Sequence, residues 1–272
     1  MGRAAVCLRD DRLHPAGNDL PRHRDVASRS DGGPEMTPPE ATPLAPGAGR
    51  RPRRLLVINP NTNTEITAQI RTAALQATPA GTEVEVLNPA SGPFSIETPR
   101  DRAEAARHVV PLIEARRHEG FDGYVLACFD DIGVEAARRL VPVPVVSLLG
   151  AGIARARATG GRFAIVTTVE IAVAGIERLT AAYGVSHLCT VRAAGAGVAE
   201  TAARTPQAEA RLFAAIERAI GQDGARSILL GSGALSGRAD ELGQRFGIPF
   251  IDGLAAAIVS LDSGRAPDRS IR

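Results

Sequence analysis

Tyr124-Val-Leu-Ala-Cys-Phe-Asp-Asp-Ile-Gly133 runs mostly apolar residues into a cysteine, two acids and a glycine, and the helical pattern Val134-Glu-Ala-Ala-Arg-Arg-Leu140 follows. The stretch reads as a buried strand passing into a helix, with Cys128 at the junction. A thiol there is expected to face amide N–H groups and the positive end of the helix dipole, which favours thiolate. The competing reading is a small, inert core cysteine. A second copy of the same element, later in the chain, favours the first.

Working outward, Leu55-Leu-Val-Ile58 is a strand followed by Asn59-Pro-Asn-Thr62, and Thr62-x-x-Glu65 is expected to cap a helix. Val84-Glu-Val-Leu87 gives the next strand, Gly92-Pro-Phe-Ser-Ile-Glu97 a loop, and Thr98-Pro99 with Asp101 a helix start. After the Cys128 element comes Val143-Pro-Val-Val-Ser147. Strands alternating with helices predict a parallel α/β sheet, whose ligands bind beyond the carboxyl ends of the strands, where Asn59 to Thr62 and Cys128 fall. Then the pattern restarts. Phe163-Ala-Ile-Val166 leads to Thr167-Thr168, with Thr167-x-x-Glu170 a second capping box. Ser227-Ile-Leu-Leu230 leads to Gly231-Ser-Gly233 and a helix to about Phe246, and Ile248-Pro-Phe-Ile251 matches Val143-Pro-Val-Val146. The spacing from Thr167 to Ser232 nearly equals that from Asn59 to Cys128, so Cys128 and Ser232 correspond. The expected fold class is α/β with two pseudo-symmetric parallel-sheet lobes and one site between them. Residues 53–148, completed by 248–262, form the first lobe and 149–247 the second.

Composition narrows the chemistry. All 32 basic residues are arginine. Without lysine, a Schiff base, covalently held pyridoxal phosphate and a P-loop are excluded. A net charge of +2 implies neither nucleic acid nor a membrane surface as partner, and no apolar run approaches the roughly 18 residues of a spanning helix. Cys7, Cys128 and Cys189 form no CxxC, so neither a metal cage nor a disulfide framework is expected, and free thiols suit a cytoplasmic protein. Residues 1–52 lack hydrophobic period and read as a disordered extension, with Met36 an alternative start. Gly150-Ala-Gly-Ile-Ala-Arg155 lacks the third glycine of a dinucleotide fingerprint and reads as a helix-opening turn. A hydrolase elbow fails at Leu230 and Ala234, and no histidine follows Ser232. Asp130 and Asp131 are expected as helix N-terminal charges rather than metal ligands, and Cys189 as a packed or surface residue.

Two opposed acid/base groups suit removal of a proton from one face of a carbon and delivery to the other, without a cofactor. Loop N–H donors would hold the transient enolate charge. The Asn59-Pro-Asn-Thr62 loop, Gly92-Pro-Phe-Ser-Ile-Glu97, Ala127-Cys-Phe-Asp-Asp131, Val166-Thr-Thr168, Leu230-Gly-Ser-Gly233 and Ile251-Asp-Gly-Leu-Ala-Ala-Ala257 together resemble the hydantoin/allantoin racemases, a branch of the aspartate/glutamate racemase superfamily. The resemblance runs from about Arg54 to Ser260. It implies a cysteine from each lobe flanking the substrate's chiral carbon, and substrate contacts at Asn59, Asn61, Thr62, Ser95, Phe129, Thr167, Thr168 and Gly233. One position departs from it: the second lobe of such enzymes reads LGCAG, and here Ser232 stands where the second thiol belongs. Three functions are therefore carried forward: a racemase or epimerase of a hydantoin-like or amino-acid-derived compound using Cys128 and Ser232, a one-thiol decarboxylase or isomerase, and a non-catalytic small-molecule-binding homologue. Exposed α/β faces make a homo-oligomer the expectation.

Overall fold

The computed structural model describes residues 53–264. The N-terminal extension, the Met36 start and Cys7 lie outside the described residues. The chain begins with β1 (Arg53–Ile58), α1 (Thr64–Ala77), β2 (Thr82–Leu87), α2 (Pro99–Arg116), β3 (Gly123–Leu126), α3 (Val134–Leu140), β4 (Val145–Ser147) and α4 (Leu148–Thr159). It continues with β5 (Phe163–Thr167), α5 (Glu170–Ala182), β6 (Cys189–Ala193), α6 (Val198–Ala202), α7 (Pro206–Gly221), β7 (Ser227–Leu230), a 3-10 turn (Gly233–Leu235), α8 (Ala239–Phe246), β8 (Phe250–Ile251) and α9 (Gly253–Asp262).

The strands form two four-stranded parallel sheets, ordered β2-β1-β3-β4 and β6-β5-β7-β8. The α/β class and the two-lobed repeat are as the sequence predicts. Helices cover both faces, so the central strands are apolar throughout: Leu55 to Ile58 and Phe163 to Val166 are all buried. Leu126 pairs with Ile58 in one sheet as Leu230 pairs with Val166 in the other. The next residue repeats the match, for Ala127 N–H donates to Ile58 O and Gly231 N–H to Val166 O, both at 2.8 Å. Cys128 and Ser232, one residue further on, therefore occupy equivalent positions.

The helices that follow the fourth strands exchange lobes. α4 packs on β7 and β8, α9 packs on α1, β3 and β4, and the two lie against each other. Gly152 and Gly123 permit this: a Cβ on Gly152 would lie 2.4 Å from Leu229 Cδ1, and one on Gly123 3.0 Å from Leu261 Cδ1. Residues 248–262 thus divide between the lobes. β8 pairs with β7 in the second sheet, and only α9 returns to the first.

Several local expectations are corrected. α1 is capped by Asn63, whose Oδ1 accepts from the N–H groups of Glu65 (3.0 Å) and Ile66 (3.2 Å). The Thr62 hydroxyl instead donates to Pro93 O at 3.3 Å. α5 begins at Glu170 with Val169 at its cap, while Thr167 ends β5 and its hydroxyl donates to Gly231 O at 2.9 Å. Residues 150–155 are not an opening turn but part of α4, which Ser147 caps by accepting from Gly150 N–H at 3.0 Å. The helix expected directly after Gly233 is interrupted, since Gly237 takes a φ of +85° before α8 starts. Cys189 is packed, opening the edge strand β6.

Candidate active site

The carboxyl ends of the two sheets face a common cleft lined by Asn59, Asn61, Cys128 and Phe129 from one lobe and Thr167, Thr168, Ser232 and Gly233 from the other. Its volume is about 60 Å³, room for roughly two waters. Polar groups occupy the strand ends, and Ile66, Ile96, Ala172, Ile176 and Val198 form an apolar wall. The lobes approach closely here, since a Cβ on Gly233 would lie 3.2 Å from Ala127 O.

The asparagine loop is a self-supporting network. Asn59 Nδ2 donates to Asn61 Oδ1 (2.9 Å) and to Thr67 Oγ1 (3.0 Å), and Asn61 Oδ1 also accepts from Asn63 N–H (3.0 Å). Asn59 and Asn61 are buried, so these bonds replace water and fix both amides. The acceptor side of Asn61 is thereby filled, leaving its Nδ2 as the group with hydrogen-bonding capacity to offer a ligand. Thr168 is equally buried and its backbone carbonyl accepts from the N–H groups of Gly195 (2.8 Å) and Ala196 (3.1 Å), which holds the second-lobe loop. Two expected contacts fall away from the cleft. The Ser95 hydroxyl donates to Glu97 Oε1 at 2.9 Å, with the neighbouring Ile96 lining the cavity in its place, and Thr62 is turned to Pro93.

The setting of Cys128 differs from the sequence reading. α3 does not start until Val134, after a turn in which Asp131 has φ +51° and Gly133 φ +75°. The thiol therefore does not sit on a helix N-terminus. The N–H groups of Asp130 and Phe129 do reach the sulfur and favour thiolate, but burial opposes them and the Asp130 carboxylate adds to it, so the thiol is pushed up to about 12. Cys128 is reachable from the cleft yet enclosed by protein behind it, and its resting form is the neutral thiol. Ser232 mirrors it, with an Oγ that accepts from Ala234 N–H at 3.3 Å and a proton free to donate.

Nor are the two acids after Cys128 helix charges. Asp130 Oδ2 lies 3.3 Å from Arg102 Nε of α2. Burial raises its carboxyl above the usual range, and Arg102 works against that rise. Asp131 Oδ2 accepts from the Tyr183 hydroxyl of the second lobe at 2.8 Å, and burial again raises the carboxyl. Among the described residues no group of three His, Cys, Asp or Glu could hold a metal ion, and no helix is long and apolar enough to cross a membrane. Sequence reasoning missed Val198 and Ile176 of the apolar wall, together with Arg102 and Tyr183. One signal for Arg102 was available: Gly175, a glycine in the middle of α5, makes room for its guanidinium.

Comparison with known proteins accounts for this architecture. The sequence profile described as Asp/Glu/Hydantoin racemase matches residues 55–261. The chain belongs to the Asp/Glu/hydantoin racemase family. It is 37% identical over 203 residues to a hydantoin racemase of Rhizobium meliloti, covering 74% of this chain and 84% of that protein. It is 34% identical over 206 residues to a hydantoin racemase of Paenarthrobacter aurescens, covering 75% and 87%. The solved structure of an allantoin racemase from Klebsiella pneumoniae superposes with a TM-score of 0.76 at 34% identity, covering 80% of this chain and 91% of that one. These relatives carry the names of racemases, and the architecture of two four-stranded parallel sheets matches the family's solved structures.

Proposed function

We propose that the protein is a cofactor-independent racemase or epimerase of a hydantoin-like or amino-acid-derived compound, exchanging the proton at the chiral carbon through Cys128. The observation that carries this reading is the equivalence of Cys128 and Ser232 on opposite walls of one cleft. A carbon held between them presents one face to each. Asn61 and Thr168, with the N–H groups of the strand-end loops, are suited to bind the carbonyl groups flanking that carbon and to stabilise enolate charge as the proton leaves. The cleft opens to solvent on one side, and the wall of Ile96, Ile176 and Val198 suits a compact apolar substituent. Names of the relatives support the substrate class.

In one direction the proton on the second-lobe face passes to a water held by Ser232 and on to solvent. Cys128 S–H then delivers its proton to the enolate carbon on the first-lobe side, and the thiolate is reprotonated from solvent. In the reverse direction the Cys128 thiolate removes the proton and the water held by Ser232 returns one, because a hydroxyl is too weak an acid to rest as its anion. This asymmetry favours a second reading, a one-thiol decarboxylase or isomerase in which Cys128 alone protonates an enolate formed by other means.

Single enantiomers of a 5-substituted hydantoin and of allantoin, incubated in D2O, separate these readings. Deuterium uptake with loss of optical rotation supports racemisation. Uptake from one enantiomer with rotation retained supports the one-thiol enzyme. Cys128→Ala should abolish exchange by the expected general acid–base contribution of roughly 10²- to 10⁴-fold; undiminished exchange would sink both readings.

A further inference from the structure

The mid-helix glycine of α5 is the entry to a further inference. Gly175 is buried, and glycine inside a helix costs about 1 kcal/mol relative to alanine. What it accommodates is Arg102 of α2: a Cβ at this position would stand 3.0 Å from Arg102 Nη1 and 3.5 Å from Nη2. The guanidinium of a first-lobe helix is thus seated in a notch of a second-lobe helix. From there its Nε lies 3.3 Å from Asp130 Oδ2, with both side chains largely shielded from solvent. The buried Nε makes no aligned hydrogen bond, so charge rather than hydrogen-bond geometry holds the pair. Asp130 itself lines the cleft, two residues from Cys128.

We propose that Arg102 is a positioning residue, which holds the Asp130 carboxylate on the cleft wall and offsets its charge, and so sets how readily Cys128 releases its proton. It acts through Asp130 and touches neither the reacting carbon nor the sulfur. The surroundings give the pair weight. Asp131, on the same loop, is tied to Tyr183 at the end of α5 and interacts with Ser147, while Arg138 and Glu135 of α3 act on it from outside. Arg178, one turn beyond Gly175 in α5, acts on Asp130. The Cys128 loop is thereby fastened to the second lobe through Asp131, and Arg102, seated against that lobe, is the cation in contact with Asp130, the acid that lines the cleft. For its functional meaning the proposal rests on Cys128 being the acid/base of the proposed reaction, but it concerns the thiol and is tested on the thiol.

The test is alkylation of the full-length protein by iodoacetamide between pH 7 and 10, with labelling of Cys128 and Cys189 followed separately by peptide mass spectrometry. Cys189 is buried in the second sheet and reports any general loosening. Asp130→Asn should speed Cys128 labelling at pH 8 about three- to tenfold, a more populated thiolate being partly offset by its lower nucleophilicity. Arg102→Gln should slow it by a similar factor, because it leaves the carboxylate unopposed. Gly175→Ala, which keeps every charge and displaces only the guanidinium, should also slow it. The double variant Arg102→Gln/Asp130→Asn should behave like Asp130→Asn alone. Shifts of opposite sign with Cys189 unchanged support the proposal. Shifts of the same sign, no shift, or a parallel rise at Cys189 overturn it. If the opposite shifts appear while the D2O experiment shows no exchange, the racemase reading has failed and the control of the thiol by Arg102 has not.

Discussion

Gly253→Ala tests the exchange of helices between the lobes. Gly253 is the first residue of α9, and a Cβ there would lie 2.4 Å from the carbonyl oxygen of Leu148, the first residue of α4, and 3.0 Å from its carbonyl carbon and Cβ. The backbone φ is one that any residue adopts, so the obstacle is space alone. The obstructing atom is helical backbone, which cannot swing aside as a side-chain tip can. Separating the two by the missing ångström or so shifts α9 against α4, at a cost toward the upper end of the 1–3 kcal/mol usual for overpacking. The gain in helix propensity returns at most about 1 kcal/mol. The net loss of about 2 kcal/mol corresponds to a fall in Tm of roughly 4–8 °C for a body of this size. Differential scanning calorimetry of the wild type and variant reads this directly. Gly221→Ala is the matched control: it closes α7, has no atom within 4 Å of the added carbon, and should raise Tm slightly. An unchanged or higher Tm for Gly253→Ala would refute the close crossing of α4 and α9 on which the lobe exchange depends.

Arg238→Met should be still more damaging. Arg238 is buried and donates to both carboxylate oxygens of Glu209 (2.6 and 2.7 Å) and to Glu241 (3.0 Å), so removing it leaves the part-buried Glu209 with only Arg204 at 3.7 Å, costs about 3 kcal/mol and lowers Tm by roughly 6–12 °C in the same calorimetric scan. Ser232→Cys should raise deuterium exchange of the slower enantiomer by roughly 10²-fold or more, read by NMR at the chiral carbon; an unchanged rate would show that the second-lobe position takes no part in proton transfer. Stability should decline as pH rises above about 9. Cys128 and Cys189 are both held up to about 12 by burial, so the folded chain keeps protons that the unfolded chain releases near the ordinary thiol value of about 9, and each thiol contributes a slope of up to about 1.4 kcal/mol per pH unit. Urea titrations at pH 8 to 10.5 should show that decline, and Cys128→Ser should flatten it.

The parts of this fold that the sequence makes legible are those set by local pattern and its repetition. β1, β3, β5 and β7 are short runs buried on both faces, and each ends in a polar or glycine-containing loop, so strand type and the Cys128–Ser232 correspondence follow from the residues themselves. β6 is harder to read because its Cys-Thr-Val-Arg-Ala run, though alternating, is only five residues long at the sheet edge, its Thr190 and Arg192 side chains being bound to Asp223 from beyond α7 (3.2 Å from Thr190 and 2.5 Å from Arg192). The Thr62 box failed because Asn63, one residue later, offers an amide oxygen in the same reach, and a capping pattern does not say which of two adjacent polar residues will cap. The setting of Cys128 is less legible for a different reason. Where Asp130 is held depends on Arg102 of α2 and on the notch at Gly175 of α5, contacts that no local pattern announces.

The resemblance to the racemases implies a thiol at position 232, and the serine that stands there suits the fold. The position needs an atom that accepts from Ala234 N–H to open the 3-10 turn, and a hydroxyl oxygen does this at least as well as sulfur. The lobe therefore keeps its geometry, Gly233 still abuts Ala127, and the cleft keeps two opposed walls. What changes is confined to proton affinity on one face. For the proposed racemase, a thiol that rests protonated on the first lobe and a hydroxyl that cannot rest deprotonated on the second would make two donors and no resident base. Exchange would then run through either a water held at Ser232 or Cys128 momentarily in its thiolate form, and the proposed Arg102–Asp130 control bears on the second route. The stereochemical course of exchange is the observable on which these two routes differ, because the first removes the proton from the second-lobe face and the second removes it from the first.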